Sequence, residues 1–237
     1  NSFYAPKGMF AKAKEADKPF VLGQATFVAH ETETNLEFEV EPSLVTTLEF
    51  KTSPYLRQGN CPKRTKKYSE TALIVPVRIH KKGCLNPETN CYKISIVNTH
   101  LQWKPTCDDV RADQLKIAVL HAIELAKKGN DESSSYDIIV AGDFNSYPDT
   151  QAIAFMNNHP EHFVSAYDAM NQPFYLTHLT CDFDGLLDYI YTTQNRLEVA
   201  SVLPLYPDNV VHDMALEWPD NFHPSDHLPI IAALKLK

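Results

Sequence analysis

The stretch Asp137-Ile138-Ile139-Val140-Ala141-Gly142-Asp143-Phe144-Asn145 decides the fold. Its apolar run, Asp137 to Ala141, reads as a short buried strand bounded by a turn signal. Asp143 and Asn145 sit just past its end. A carboxylate and an amide two residues apart, at a strand exit, can both point into one cleft. Asp143 can bind a metal ion or position water, and Asn145 can ligate through its oxygen or donate to a phosphate oxygen. The alternative is a turn in which both side chains bond their own backbone.

The surrounding sequence repeats this arrangement. Upstream, Tyr92, Ile94 and Ile96 alternate with polar residues, and Val97 carries the run into Asn98-Thr99-His100. Between the two strands, Ala112, Leu115, Ala118, Val119, Ala122, Ile123 and Ala126 recur at helical spacing, which predicts a helix from Val110 to Lys128. Asp108 or Asp109 suits its start, and Lys127, Lys128 and Gly129 suit its end. Gly23 to Ala29, Glu37 to Val40 and Ser69 to Ile79 read as earlier strands. Leu186 to Tyr191 and Pro229 to Leu236 read as later ones, and Thr150 to Asn157 as a short helix. Ser53 to Lys67 and Ser133 to Tyr136 read as loops. The pattern is a sheet-rich α/β domain.

Two more polar motifs border apolar runs. Ser225-Asp226-His227 precedes the last predicted strand, and Asp188 leaves the Leu186-Leu187 run. His227 is the best general-base candidate, because imidazole titrates near neutral pH. Such a base needs a partner that fixes its tautomer, and Asp188 is the choice. Asp226 is then free to face a metal. His100 can donate to a phosphate oxygen as charge builds in a transition state. Each residue alone also fits a structural role, as a turn, a cap or a satisfied histidine. Together they offer complementary roles in hydrolysing a phosphodiester.

Composition narrows the setting. The 237 residues carry a formal net charge of −8 and are 43% hydrophobic, which suits one domain, 1–237, with a sizeable core. A nucleic-acid binder usually shows a basic footprint, which is lacking overall. A polyanionic substrate therefore calls for a metal ion and a local basic cluster. Lys63, Arg64, Lys66 and Lys67 form the densest one, as a phosphate clamp or a solvated loop. The five cysteines, without a CxxC pair, fit a reduced intracellular compartment, cytoplasm or mitochondrion. A hairpin disulfide between Cys84 and Cys91 is the alternative. No apolar run is long enough for a membrane span. No targeting segment opens the chain, whose first residue is Asn.

The order Asn98-Thr99-His100-Leu101, Gly142 to Asn145, Leu187-Asp188-Tyr189-Ile190-Tyr191 and Ser225-Asp226-His227-Leu228-Pro229 resembles the endonuclease/exonuclease/phosphatase superfamily. His100 through Trp103 to Pro105, Phe163 to Tyr167 and Thr180 to Tyr191 are similar to its deadenylase and 2′,5′-phosphodiesterase branch. The resemblance implies a DNase I-like fold, a two-layer β-sandwich flanked by helices. It implies Mg²⁺-dependent, or Mn²⁺-dependent, hydrolysis of adenine-rich RNA from its 3′ end to 5′-AMP, the RNA being poly(A) or 2′,5′-oligoadenylate. His227 is then the base or a metal-facing imidazole, oriented by Asp188. Asp143, Asn145 and Asp226, with His227, surround metal and attacking water, while His100 and Asn145 contact the phosphate. Phe183 and Pro105 match positions that sandwich an adenine.

One departure stands out. The family places an Asn and a metal-binding Glu in strands near its N-terminus, and neither motif is present. Glu15, Glu31 and Glu70 lie in no such context. The chain is therefore expected to be a piece of a larger protein lacking its first strands, with exposed sheet edges, or to have lost catalysis. A sphingomyelinase-like phosphodiesterase and a non-catalytic RNA-binding or scaffold module are the rival readings.

Overall fold

The computed structural model describes residues 2–6, 23–27, 36–50, 70–86, 91–127, 136–172, 176–206, 218–221 and 223–237. The strands are β1 Ser2–Pro6, β2 Gly23–Phe27, β3 Leu36–Val40, β4 Thr46–Glu49, β5 Thr71–Lys81, β6 Tyr92–His100 and β7 Tyr136–Asp143, then β8 Val164–Ser165, β9 His178–Leu179, β10 Asp184–Gly185, β11 Asp188–Thr192, β12 Leu197–Val202 and β13 Ala232–Leu236. The helices are α1 Asp108–Lys127, α2 Gln151–Asn157 and α3 Ala166–Ala169.

A seven-stranded mixed sheet forms the centre, in the order β3-β5-β6-β7-β11-β8, with β4 also paired to β5. Only β6 and β7 run parallel within it. That pair needs a crossover, and α1 supplies it. The alternation of side chains along each strand then sorts two apolar faces. Ala72, Ile74, Val97, Ile138 and Val140 pack with α1 and α2. Leu73, Val75, Val77, Ile79, Tyr92 and Ile94 face the opposite way, against Leu197, Leu234 and Leu236 of β12 and β13. The β1–β2 pair also lies against β5 and β6. The expected layered α/β architecture is the one observed.

Several local expectations shift. The helix predicted from Val110 begins at Asp108, and its first bond runs from the Arg111 amide to the Cys107 carbonyl. Asp108 does not cap its own helix; its carboxylate accepts from the Gln151 amide at the start of α2. Leu186 and Leu187 are buried but precede β11, which starts at Asp188. The last strand starts at Ala232 rather than Pro229, which has no amide to give a ladder. Tyr136 belongs to β7 and not to a loop. Strands β1, β4, β8, β9, β10 and β12 were not anticipated. Cys84 and Cys91 are not joined, so the hairpin disulfide is not formed. The loop Ser53–Lys67, with its basic cluster, and residues 133–135 lie outside the described residues. Among the described residues no helix is long and apolar enough to cross a membrane.

Buried Asp137, at the entry of β7, anchors the end of the sheet away from Asp143. It accepts from Tyr92 and Thr193 hydroxyls and from the amides of Asn195, Arg196 and Leu197. A buried carboxylate requires this degree of satisfaction.

Candidate active site

The site begins with strand register. In the parallel pair, His100 lies opposite Asp143; in the antiparallel pair, Asp143 lies opposite Asp188. Three polar side chains therefore stand in a row across neighbouring strands about 4.8 Å apart. Gly142 makes the close approach possible. Its φ is +139°, and a Cβ there would run into the Thr99 carbonyl oxygen. Asp143 Oδ1 accepts from the Asn145 amide at 2.8 Å, and Asn145 adopts φ +49°. This is a turn in which Asp bonds its own backbone and Asn tolerates left-handed geometry. Turn chemistry and site chemistry are thus combined, since Asp143 Oδ2 is left to face the cleft residues.

Around that oxygen stand His100 Nε2 at 3.3 Å, Asn145 Nδ2 at 3.3 Å and His227 Nε2 at 3.9 Å. Asn145 Nδ2 also donates to the Leu101 carbonyl at 3.0 Å, which turns the amide oxygen away from both. His227 Nδ1 lies 2.8 Å from Asp188 Oδ2. Burial alone would lower the His227 pKa. The Asp188 hydrogen bond and charge, with the charges of Asp143 and Asp226, outweigh it and hold the imidazole above its usual value.

A cleft of about 550 Å³ opens beside this row, and Asn145, His227, Phe183, Pro105 and Trp103 line it. Phe183 and Trp103 are partly exposed, at 39% and 64%, so their faces are available. Phe183 packs against Tyr147 and His178, with ring centres 5.9 and 5.1 Å away. Arg111, nearly fully buried, holds the loop that carries Trp103 and Pro105. Its guanidinium donates to the Lys104 carbonyl at 2.7 Å, the Gln102 carbonyl at 3.4 Å and Ser146 Oγ at 3.1 Å. Burial lowers its pKa, with Asp108 opposing.

The structure brings His100, Asp143, Asn145, Asp188 and His227 together, and Phe183 and Pro105 onto the same cleft. Asp226 lies beside them, next to His227. Its carboxylate is half exposed and faces His178 Nε2 at 3.5 Å. His178 and Arg111 were missed by sequence reasoning. A lone His and a helical Arg carry no local signal; His178 joins the site through its bridge with His227 and its packing against Phe183. Burial pushes the His178 pKa down, aided by His227.

The sequence model of the Endonuclease/Exonuclease/phosphatase family matches residues 48–227. The chain belongs to that family. The matched span contains every residue of the row and the cleft named above. Among curated family relatives, the CCR4-Not complex 3′-5′-exoribonuclease subunit Ccr4 of Candida albicans is 32% identical, over 61% of this chain and 22% of its own. Human 2′,5′-phosphodiesterase 12 is 33% identical, over 61% of this chain and 26% of its own. The chain thus spans about a quarter of the length of these relatives. The human Nocturnin catalytic domain superposes with a TM-score of 0.66 at 19% identity, covering 100% of this chain and 72% of that one. ANGEL2, described as a 2′,3′-cyclic phosphatase, superposes with a TM-score of 0.69 at 17% identity, covering 100% and 74%. The fold is therefore the DNase I-like fold of this family.

Proposed function

We propose that this chain carries the hydrolytic centre of a metal-dependent phosphodiesterase, a 3′-exoribonuclease that removes 5′-AMP from adenine-rich RNA. The observation that carries this reading is the Asp188–His227–Asp143 alignment beside an aromatic cleft. His227 Nδ1–H donates to Asp188, which fixes the tautomer and leaves the Nε2 lone pair for a water proton. At 3.9 Å from Asp143, Nε2 is beyond direct hydrogen-bond reach of that carboxylate. Asp188 then stabilises the imidazolium that forms. His100 lies where it can donate to a non-bridging phosphate oxygen as negative charge grows, and the Asn145 amide would add a donor by giving up its bond to Leu101 or Asp143.

The donor set fits a hard divalent cation. Asp143 Oδ2 is an oxygen ligand such an ion prefers, the Asn145 amide oxygen would join it once the amide rotates off the Leu101 carbonyl, and Mg²⁺, or Mn²⁺, is the choice. When bound, the ion would neutralise phosphate charge and acidify water. Support for an RNA substrate comes from the relatives named Ccr4 and 2′,5′-phosphodiesterase 12. Support for adenine comes from Phe183 and Pro105, whose apolar faces border one cleft and suit stacking on a base.

The test is a ladder assay on 5′-labelled oligo(A), with 3′,5′ and with 2′,5′ linkages, in Mg²⁺ and in EDTA. The expected result is stepwise shortening with release of 5′-AMP, abolished by EDTA. Stepwise shortening that persists in EDTA overturns the metal-dependent reading, and a soluble, folded chain without turnover overturns the hydrolytic one.

A further inference from the structure

His178 and His227 face each other across an isolated antiparallel bridge. The backbone bonds that flank the bridge, Leu179 N to Asp226 O at 3.0 Å and Leu228 N to Thr177 O at 2.8 Å, leave these two residues as a non-hydrogen-bonded pair. Such pairs bring side chains closest, with Cα atoms about 4.5 Å apart. The ring centres are 4.7 Å apart at 73°. Asp226, next in chain to His227, reaches back to His178 Nε2 at 3.5 Å. That spacing is long for a charge-assisted hydrogen bond. It is close to the roughly 3.3 Å between two ligands of one tetrahedral zinc with bonds of about 2.05 Å. Donor atoms of His178, Asp226 and His227 all lie within 4.8 Å of one another. His178 is buried, and its Nδ1 has no hydrogen-bond partner among the described residues.

We propose that His178, Asp226 and His227 form a second cation site, selective for a borderline transition-metal ion such as Zn²⁺ over Mg²⁺. Two imidazoles and one carboxylate suit zinc-class ions, whereas Mg²⁺ demands oxygen ligands and keeps its water. The site shares His227 with the Asp143 row, Asp143 Oδ2 lying 3.9 Å from His227 Nε2. With Nδ1 committed to Asp188, His227 offers Nε2 to the ion, and Asp188 becomes the outer carboxylate that orients a metal-bound histidine. An ion there occupies the lone pair that hydrolysis needs, so Zn²⁺ inhibits. The inhibitory consequence rests on His227 being the base; the binding itself does not.

The experiment titrates Zn²⁺ and Co²⁺ into the metal-free full chain, by calorimetry and by Co²⁺ visible absorption. The expected result is saturable binding with cobalt bands of a four- or five-coordinate site. His178→Asn should weaken Zn²⁺ binding by about tenfold or more. Zn²⁺ binding equal in wild type and His178→Asn, or no saturable binding, overturns the site. If the variant does not fold, protection of wild-type His178 and His227 from diethyl pyrocarbonate by Zn²⁺, mapped by mass spectrometry, is the second readout; absence of protection overturns the proposal. Zn²⁺ binding without inhibition of oligo(A) hydrolysis would leave the site standing and count instead against the base role of His227.

Discussion

Asp188 Oδ2 and His227 Nδ1 stand 2.8 Å apart although they come from different strands of chain far apart in sequence. Asp188 opens β11 in register with Asp143, and His227 is pinned by its bridge to His178. Backbone pairing, and not loop geometry, therefore sets the distance between base candidate and orienting carboxylate. That is the rigid support a catalytic pair requires.

The pH dependence follows from the raised His227 pKa. A general base must be neutral, so the acid limb of kcat/KM should have its midpoint above 6.5. Asp188→Asn should move that midpoint down and lower the plateau rate. Stability runs the other way. With the folded pKa raised, the charged pair stabilises fully below the unfolded value, and this is lost as pH rises through the folded one. A pH–rate profile of both proteins checks the first sign, and urea midpoints across the same window check the second. An acid limb that Asp188→Asn leaves in place would separate it from His227.

Gly142 should tolerate no side chain. Its positive φ and the Thr99 carbonyl oxygen in the path of a Cβ mean that Gly142→Ala must part β6 from β7. A loss of about 3 kcal/mol or more is expected from backbone strain plus steric conflict. Chemical denaturation reads it directly. A loss under about 0.5 kcal/mol would show that the strand pair closes differently.

Asp137→Ala should unfold the far end of the sheet without touching the cleft. It strands the Tyr92 and Thr193 hydroxyls and the amides of Asn195, Arg196 and Leu197. Each buried orphan costs about 1–3 kcal/mol, so a loss of about 4 kcal/mol or more is expected in thermal or urea unfolding. At temperatures where the variant remains folded, kcat should match wild type.

Phe183→Ala should reduce turnover on oligo(A) more than on oligo(U). Stacking on an aromatic ring is worth about 1–3 kcal/mol per base, and the exposed Phe183 face lies on the cleft. The pair of KM values is the measurement. Equal losses on both substrates would place Phe183 in packing against Tyr147 and His178 alone.

How much of this was legible in the sequence depended on locality. The exit of Asp137-Ile138-Ile139-Val140-Ala141 identified Asp143 and Asn145, because a strand end and its turn are written in adjacent residues. Asp188 as the partner of His227 was inferred from chemistry and lies where that chemistry requires. What stayed hidden was non-local. The parallel pairing that sets His100 beside Asp143 depends on α1 folding back between them. His178 is a lone histidine until its bridge to His227 forms. Arg111 lies among the residues of an amphipathic helix and becomes a clamp only when the Gln102–Lys104 carbonyls turn toward it. Strand β4, Thr46–Glu49, is four residues long and gains its identity from β5. Asp226 was left to face a metal once Asp188 was paired with His227, and the nearness of its carboxylate to His178 Nε2 carried no local signal.

The most direct measurement is single-turnover cleavage of 5′-labelled oligo(A) in Mg²⁺ by wild type and His227→Ala, with circular dichroism and thermal melts on the same samples. The expected result is a rate loss of about 10²–10⁴-fold with an intact fold. An unchanged rate from a folded His227→Ala chain would contradict the role of His227 as the base and, with it, the reading of the Asp188–His227–Asp143 row.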